Sequence, residues 1–131
     1  EEIKQRSVQV IVNITNGEVI GDTEIISMSV RNLIDNALKF TCQTPDARIE
    51  IGSRTAGSNC LLWVRDNGIG FAMKYYERIF QIFQRLHLPE DYTGTGIGLS
   101  LVRMGIERCG GRVWAESAPG KGAVFYLEIP Q

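Results

Sequence analysis

Two glycine-rich segments of this chain have residue types and spacings that indicate a ligand-binding site. Residues 66–70 read Asp-Asn-Gly-Ile-Gly, and residues 94–99 read Gly-Thr-Gly-Ile-Gly-Leu. The second segment opens a predicted helix, and the free N–H groups at a helix N-terminus bind anions without a basic side chain. No lysine follows its last glycine and no apolar strand runs directly into it, so it differs from both common phosphate-binding glycine loops. We interpret it as a phosphate-binding segment of another type, with a purely structural bend as the alternative.

The first segment has the residue types of an adenine pocket. Asp66 directly follows a strongly apolar predicted strand, where its carboxylate can accept a hydrogen bond from an exocyclic amine such as that of adenine. Gly68 and Gly70 tolerate positive φ and let the backbone approach a flat ring closely. Taken alone, the segment is explained equally well by an ordinary Asp-Asn-Gly turn.

A polar helix precedes both segments. Asn32, Asn36 and Lys39 are spaced four and three residues apart and therefore share one helix face. Two amide oxygens and one cation suit a hydrated Mg²⁺ ion and phosphate oxygens, because Mg²⁺ keeps several waters and takes few protein ligands. A solvated helix face is the alternative. Arg85, between the two glycine segments, can supply charge to a terminal phosphate, with a solvated arginine as the alternative.

The hydrophobic pattern predicts the elements that must position these residues. Apolar alternation predicts strands over residues 8–14 and 48–52, and a nearly continuous apolar run predicts a central strand over 60–64. A turn at residues 119–122 predicts a terminal hairpin with strands over 112–116 and 123–129. Helical periodicity predicts helices over about 23–40 and 73–83, and another from residue 96 or 97 to the glycine pair at 110 and 111. In the first helix the core face is formed by Ile26, Val30, Leu33 and Ala37. The order of elements predicts an α/β fold, a two-layer sandwich whose mixed sheet is covered by helices on one face.

Size and charge exclude several classes of function. The chain has 131 residues, which fits one domain with one core, and 14 basic against 15 acidic side chains. A net charge of −1 argues against nucleic-acid binding and against contact with anionic membranes. No stretch approaches the roughly 20 apolar residues of a membrane span, and no signal peptide is visible. The three cysteines have no metal-binding spacing and are interpreted as reduced packing residues. These features predict a cytoplasmic domain, with membrane attachment of a longer parent left open.

With these residues assembled, the chain resembles the catalytic ATP-binding domain of a bacterial-type sensor histidine kinase, one of the Bergerat-fold ATPases. The resemblance covers nearly the whole chain. It rests on motifs in the family's order: the N box (32–40), the first glycine box (66–70), the phenylalanine box (80–85), the second glycine box (94–99) and a terminal glycine motif (120–125). Ala123 departs from the small hydroxyl residue common in the last motif. Residues 83–87 and 92–99 are similar to the phytochrome-like branch.

The resemblance implies ATP and Mg²⁺ as ligands of one domain over residues 1–131, with residues 1–6 as a linker and 84–95 as the ATP lid. It implies Asn36 as the Mg²⁺ ligand and Asp66 as the acceptor for the adenine amine. Catalytic roles are implied for Asn32, Lys39 and Arg85, which also belong to the cofactor site. The other implied cofactor-binding residues are Phe40, Gly68, Gly70, Thr93, Gly94, Thr95, Gly96, Ile97, Gly98 and Leu99.

The chain contains no histidine followed by an acidic residue in a helical hairpin. The resemblance therefore implies that the phosphoacceptor histidine lies on a separate dimerisation domain of the parent protein, with a response regulator downstream. Asn32 stands where resembling hydrolases carry a water-activating glutamate, and an amide cannot act as a general base. Phosphoryl transfer to an external imidazole by positioning and charge stabilisation is the expected reaction. The alternatives are an anti-sigma-type serine protein kinase and a non-catalytic nucleotide- or partner-binding module.

Overall fold

The computed structural model describes residues 9–13, 23–75 and 98–130. Its strands are β1 (Gln9–Asn13), β2 (Arg48–Ala56), β3 (Asn59–Asp66), β4 (Arg112–Ser117) and β5 (Ala123–Pro130). They form one sheet in the order β1-β2-β3-β5-β4. β1 runs parallel to β2, whereas the β2–β3, β3–β5 and β4–β5 pairs are antiparallel. The predicted mixed sheet is therefore confirmed.

Among the described residues, two helices, α1 (Thr23–Phe40) and α2 (Gly98–Arg108), accompany a short 3₁₀ turn, Met73–Tyr75. α1 has the predicted bounds, with Glu24 in its first turn and Lys39 in its last, the charge order that the helix dipole favours. Beyond the last turn, both the backbone N–H and the hydroxyl of Thr41 donate to the Ala37 carbonyl, at 3.1 and 2.7 Å. Thr41, the residue directly after the helix, thus supplies hydrogen bonds to a carbonyl in its last turn.

α2 ends at the glycine pair that the sequence predicts as its cap. Gly110 has a φ of 82°, and the N–H groups of Gly110 and Gly111 donate to the carbonyls of Glu107 and Ile106, each at 3.0 Å. This left-handed ending satisfies terminal carbonyls and turns the chain into β4.

Both helices pack on one face of the sheet, where they build the core. Leu33 and Ala37 of α1 and Val102 and Ile106 of α2 join strand residues in one buried cluster. The strand residues in that cluster are Ile49, Val64, Val113, Ala115, Ala123, Phe125, Leu127 and Ile129. Ile26 and Val30 pack against it. The predicted core face of the first helix and the two-layer architecture are confirmed.

The opposite face of the sheet, which we call the outer face, carries the alternate strand residues. Trp63 and Trp114 are both register partners of Tyr126, one on each side. Trp114 stacks on Tyr126 with ring centroids 5.0 Å apart, and the Arg112 guanidinium lies 4.5 Å from the centre of the Trp114 ring. The Arg112 Nε also donates to Glu128 Oε1 at 2.6 Å. Stacking and ion pairing thus replace helix packing on this face.

Some predicted bounds differ from those in the structure. β2 and β3 extend to Ala56 and back to Asn59, beyond the predicted 48–52 and 60–64. A two-residue connection at Gly57-Ser58, with Gly57 at a φ of 64°, lets the antiparallel ladder continue through residues whose side chains break the apolar pattern. Of the helix predicted over 73–83, only the 3₁₀ turn falls within the described residues. None of the helices that the structure describes has the length and hydropathy needed to cross a bilayer.

Candidate nucleotide site

The C-terminus of α1 contacts the first glycine box directly. The Ile69 N–H donates to the Phe40 carbonyl at 3.1 Å, and a Cβ built on Gly68 would clash with that same carbonyl. The Phe40 side chain is buried in the core cluster. A glycine at position 68 is therefore required for α1 and the loop after β3 to come this close, and two predicted cofactor-binding positions are brought together.

Asp66 ends the central strand β3, with Ile49 and Ala123 as its register partners on either side. Its side chain is only 4% exposed, and one carboxylate oxygen accepts the Gly68 N–H at 2.8 Å. Burial raises the pKa of Asp66 from 3.8 to about 6, although hydrogen bonds from the backbone of Gly68 and Ala123 lower it. The carboxylate is thus held in one orientation, as an acceptor of a ligand's amine must be.

Asn67 anchors the other side of the loop to the start of β2 and to the residues just before it. Its side-chain oxygen accepts the Arg48 N–H at 2.8 Å, and its amide nitrogen donates to the Asp46 carbonyl at 3.0 Å. Asp46 has a φ of 53°, a conformation that Asn and Asp adopt more readily than most residues. This anchoring role was not predicted, although an Asn beside a turn glycine is a residue type that commonly bonds backbone groups.

The turn between β4 and β5, residues 118–122, supports the loop from below. The Gly120 N–H donates to the Ile69 carbonyl at 2.8 Å. The Ser117 hydroxyl accepts the Phe71 N–H at 2.8 Å and donates to the Gly122 carbonyl at 2.6 Å. Sequence analysis missed Ser117 because its partners lie far away in the chain or in a turn whose register is not visible from sequence.

Gly70 and Gly122 are the residues at which this loop and this turn touch. Their φ values are 68° and 78°. A Cβ on Gly70 would clash with the Ala118 carbonyl, and one on Gly122 would clash with the Asp66 carbonyl. Both positions therefore exclude larger residues for two reasons, backbone conformation and space.

The polar face of α1 lies on the same helix that ends at Phe40. Asn36 is 9% exposed, and Lys39 and Asn32 are half-buried. The Asn32 amide nitrogen lies 3.0 Å from the sulfur of Met28, which is a weak acceptor. The observed helix thus keeps the three residues on one face, as their spacing predicts, with metal and phosphate contacts still a prediction.

At the predicted phosphate end, Gly98 is the first residue of α2. The Leu99 side chain is buried in the core cluster, so any nucleotide contact from Leu99 must come from its backbone. The other predicted residues of this end lie outside the described residues. They are Arg85, Thr93, Gly94, Thr95, Gly96 and Ile97, together with the lid at 84–95 and the phenylalanine box.

Comparison with known proteins agrees with this architecture. The family described as histidine kinase-, DNA gyrase B-, and HSP90-like ATPase matches residues 21–131. Cyanobacterial phytochrome A from Nostoc sp. is 41% identical over 132 residues, which cover 98% of this chain and 17% of that protein. The chain therefore spans only a small part of the phytochrome that it matches. The match to a phytochrome agrees with the predicted similarity to the phytochrome-like branch.

Solved structures show the same fold. The mycobacterial sensor histidine kinase MprB is 25% identical with a TM-score of 0.85, and the match covers 98% of this chain and 85% of that one. Full-length ShkA in complex with AMPPNP has a TM-score of 0.84 at 23% identity, over 98% of this chain and 27% of that one. At that lower identity the likeness shows the fold alone.

Proposed function

We propose that this chain is the ATP-binding catalytic domain of a two-component sensor histidine kinase. The chain belongs to the histidine kinase-, DNA gyrase B-, and HSP90-like ATPase family. In this role it transfers the γ-phosphate of ATP to a histidine on a separate dimerisation domain of the parent protein. A response regulator then receives the phosphoryl group, and the domain works in the cytoplasm, where ATP is available.

The observation that carries the proposal is the buried, oriented carboxylate of Asp66. It lies at the end of the central strand, 4% exposed, beside the backbone contact between Phe40 and Gly68. A carboxylate fixed in this way accepts a hydrogen bond from the amine of adenine and repels the carbonyl that guanine carries at the same position. Full-length ShkA, which contains the same fold, is in complex with AMPPNP, and this supports an adenine nucleotide as the ligand.

Asn36 is the residue we assign to Mg²⁺. Groups of three or more His, Cys, Asp and Glu side chains able to hold a metal are absent from the part of the chain that the structure describes. One amide oxygen on the polar face of α1 nevertheless fits Mg²⁺, which takes most of its ligands from phosphates and water. When bound, the ion neutralises charge on the phosphate oxygens.

The reaction we propose needs no general base from this chain. Asn32 lies one helical turn before Asn36, and its amide cannot take a proton from water, which favours transfer over hydrolysis. Asn32 and Lys39 hold the phosphates in line with the incoming imidazole, and Arg85 stabilises charge on the γ-phosphate.

Two exposed apolar side chains on α2 give the acceptor domain a surface on which to dock. Leu101 and Met104 are 45% and 51% exposed and lie one helical turn apart, shortly after Gly98 at the start of the helix. The acceptor histidine must reach the γ-phosphate in line, so its domain has to contact this chain beside the phosphate end. We assign Leu101 and Met104 to that contact.

The proposal is tested by mixing the chain with its cognate histidine-containing hairpin domain, Mg²⁺ and γ-labelled ATP. An acid-labile, base-stable label on the hairpin domain is the expected result. An acid-stable label would instead support the serine kinase alternative, and nucleotide binding without any label would support a non-catalytic module. Because both tryptophans lie on the outer face, binding is followed with a fluorescent nucleotide and not with intrinsic fluorescence.

Asn36→Ala is the variant that tests the metal assignment. It removes the proposed ligand, so Mg²⁺ should no longer strengthen nucleotide binding, and phosphoryl transfer should fall by about 100-fold or more. Asp35→Asn, an exposed neighbour on the same helix, serves as the control and should behave like the parent. An unchanged effect of Mg²⁺ on the Kd of the Asn36→Ala chain would remove Asn36 from the site.

A further inference from the structure

We propose that Ser117 is a positioning residue that sets the discrimination between adenine and guanine nucleotides without touching the nucleotide. It does so by fixing the loop of residues 66–71, which we call the adenine loop, against the turn of residues 118–122. The inference rests on the proposed function, since it takes Asp66 as the adenine contact.

Ser117 is the last residue of β4, and its hydroxyl makes two hydrogen bonds in opposite directions. It donates to the Gly122 carbonyl at 2.6 Å and accepts the Phe71 N–H at 2.8 Å. A hydroxyl has one proton to donate and lone pairs to accept, so the two bonds coexist without conflict. One side chain therefore ties the end of the adenine loop to the turn.

The turn in turn fixes the backbone of Asp66. The Gly120 N–H donates to the Ile69 carbonyl at 2.8 Å, and Gly122 packs so closely on the Asp66 carbonyl that a Cβ there would clash. Any movement of the turn relative to the loop must therefore displace Asp66 or break one of these contacts. Ser117 is the side chain that holds the two segments in register.

Removal of the hydroxyl leaves two backbone groups without their partner. Phe71 is 2% exposed, so its N–H would have to stay unsatisfied in a buried position or the loop would have to move. We expect the loop to move, since a buried N–H without a partner is costly. The Asp66 carboxylate then loses the fixed orientation on which recognition of the adenine amine depends.

The test is calorimetric titration of the 131-residue chain with AMPPNP and with the matching guanine analogue, each with Mg²⁺. The discrimination ratio is the Kd of the guanine analogue divided by the Kd of AMPPNP. For Ser117→Ala we expect this ratio to fall about tenfold or more, toward one. Ser117→Thr keeps the hydroxyl and should restore the ratio to within about threefold of the parent. If Ser117→Ala does not fold, Ser117→Cys replaces it with the same expectation, since a thiol is a weak donor and acceptor.

A destabilised control separates positioning from general loss of stability. Ile129→Val lies in the core at the other end of the β3–β5 pair, where Ile129 is opposite Cys60. It lowers stability far from the adenine loop and should keep the parent ratio. The inference would be overturned if Ser117→Ala kept the parent's discrimination ratio or if Ile129→Val lost it. It would also be overturned if Ser117→Thr did not restore the ratio.

Asp66→Asn separates the two proposals. If Asp66→Asn keeps the parent's preference for adenine, the proposed contact itself is wrong. If Asp66→Asn loses the preference while Ser117→Ala keeps it, only the role of Ser117 is wrong.

Discussion

The two faces of the sheet are built from alternate residues of the same strands, yet they are held in different ways. On the helix-covered face, Phe125 and Leu127 pack into a cluster that also includes residues of α1 and α2. On the outer face, Tyr126 and Glu128 of the same strand meet Trp114 and Arg112 through stacking and an ion pair. The first kind of contact excludes water, whereas the second leaves the Arg112 side chain 70% exposed.

Within the described ranges, the candidate site lies on the covered face. Asp66 and Phe40 lie buried where strand ends meet helices, and Asn36 on the polar face of α1 is 9% exposed. A change at one of these buried site residues should therefore alter both stability and nucleotide binding. A change on the outer face should alter stability slightly and leave binding unchanged.

The largest effect is expected for Leu127→Ala. Leu127 is 0% exposed in the centre of the core, and removal of a buried leucine side chain to alanine costs about 2–5 kcal/mol. Urea unfolding of the parent and the variant measures this difference in the free energy of unfolding. A loss below about 1 kcal/mol would contradict the account of the covered face.

The second effect concerns the pH dependence of stability. Burial raises the pKa of Asp66 from 3.8 to about 6 in the folded chain, so folding favours its protonated form. The contribution of protonated Asp66 to the free energy of unfolding is fully present below the pKa of the unfolded chain, near 4. It is lost as the pH rises through the pKa of the folded chain, about 6. Ionisation of Asp66 therefore costs up to about 3 kcal/mol at neutral pH.

Asp66→Asn keeps the shape of the protonated side chain and has no charge to lose. We expect the parent's free energy of unfolding, relative to that of Asp66→Asn, to decrease between pH 4 and pH 7.5. Glu116→Gln, an exposed change on the outer face, controls for the loss of one negative charge. If the free energy of unfolding changed with pH in the same way for the parent and for Asp66→Asn, Asp66 would not be buried as described.

The smallest effect is expected for Arg112→Ala on the outer face. Its guanidinium lies over Trp114 and pairs with Glu128, but its side chain is 70% exposed. An exposed cation–π contact and a surface ion pair contribute about 0.7–2 kcal/mol together. Thermal unfolding at low and at 1 M salt measures the loss, which should shrink at high salt. The Kd for AMPPNP should equal that of the parent.

A destabilisation by Arg112→Ala as large as that by Leu127→Ala would break the contrast between the faces. A change in its nucleotide affinity would break it as well, since it would connect the outer face to the site.

The sequence alone determined the elements and the residue types of the site. The helix over residues 23–40, the mixed sheet and the glycine cap at residues 110 and 111 follow from periodicity and turn chemistry, which act between residues close in the chain. The motif order identified the family for the same reason, because each motif is a short segment whose spacing is visible in the sequence. The role of Asn36 remains a prediction from that spacing.

Only the tertiary structure decided how the adenine loop is held. The bond between Ser117 and Phe71 joins residues 46 positions apart, and those of Asn67 reach back 19 and 21 positions. No local pattern encodes such pairs, since they exist only once strands β2 to β5 are in register. The raised pKa of Asp66 has the same origin: burial is a property of the packed sheet and helices, not of the residue or its neighbours in the chain.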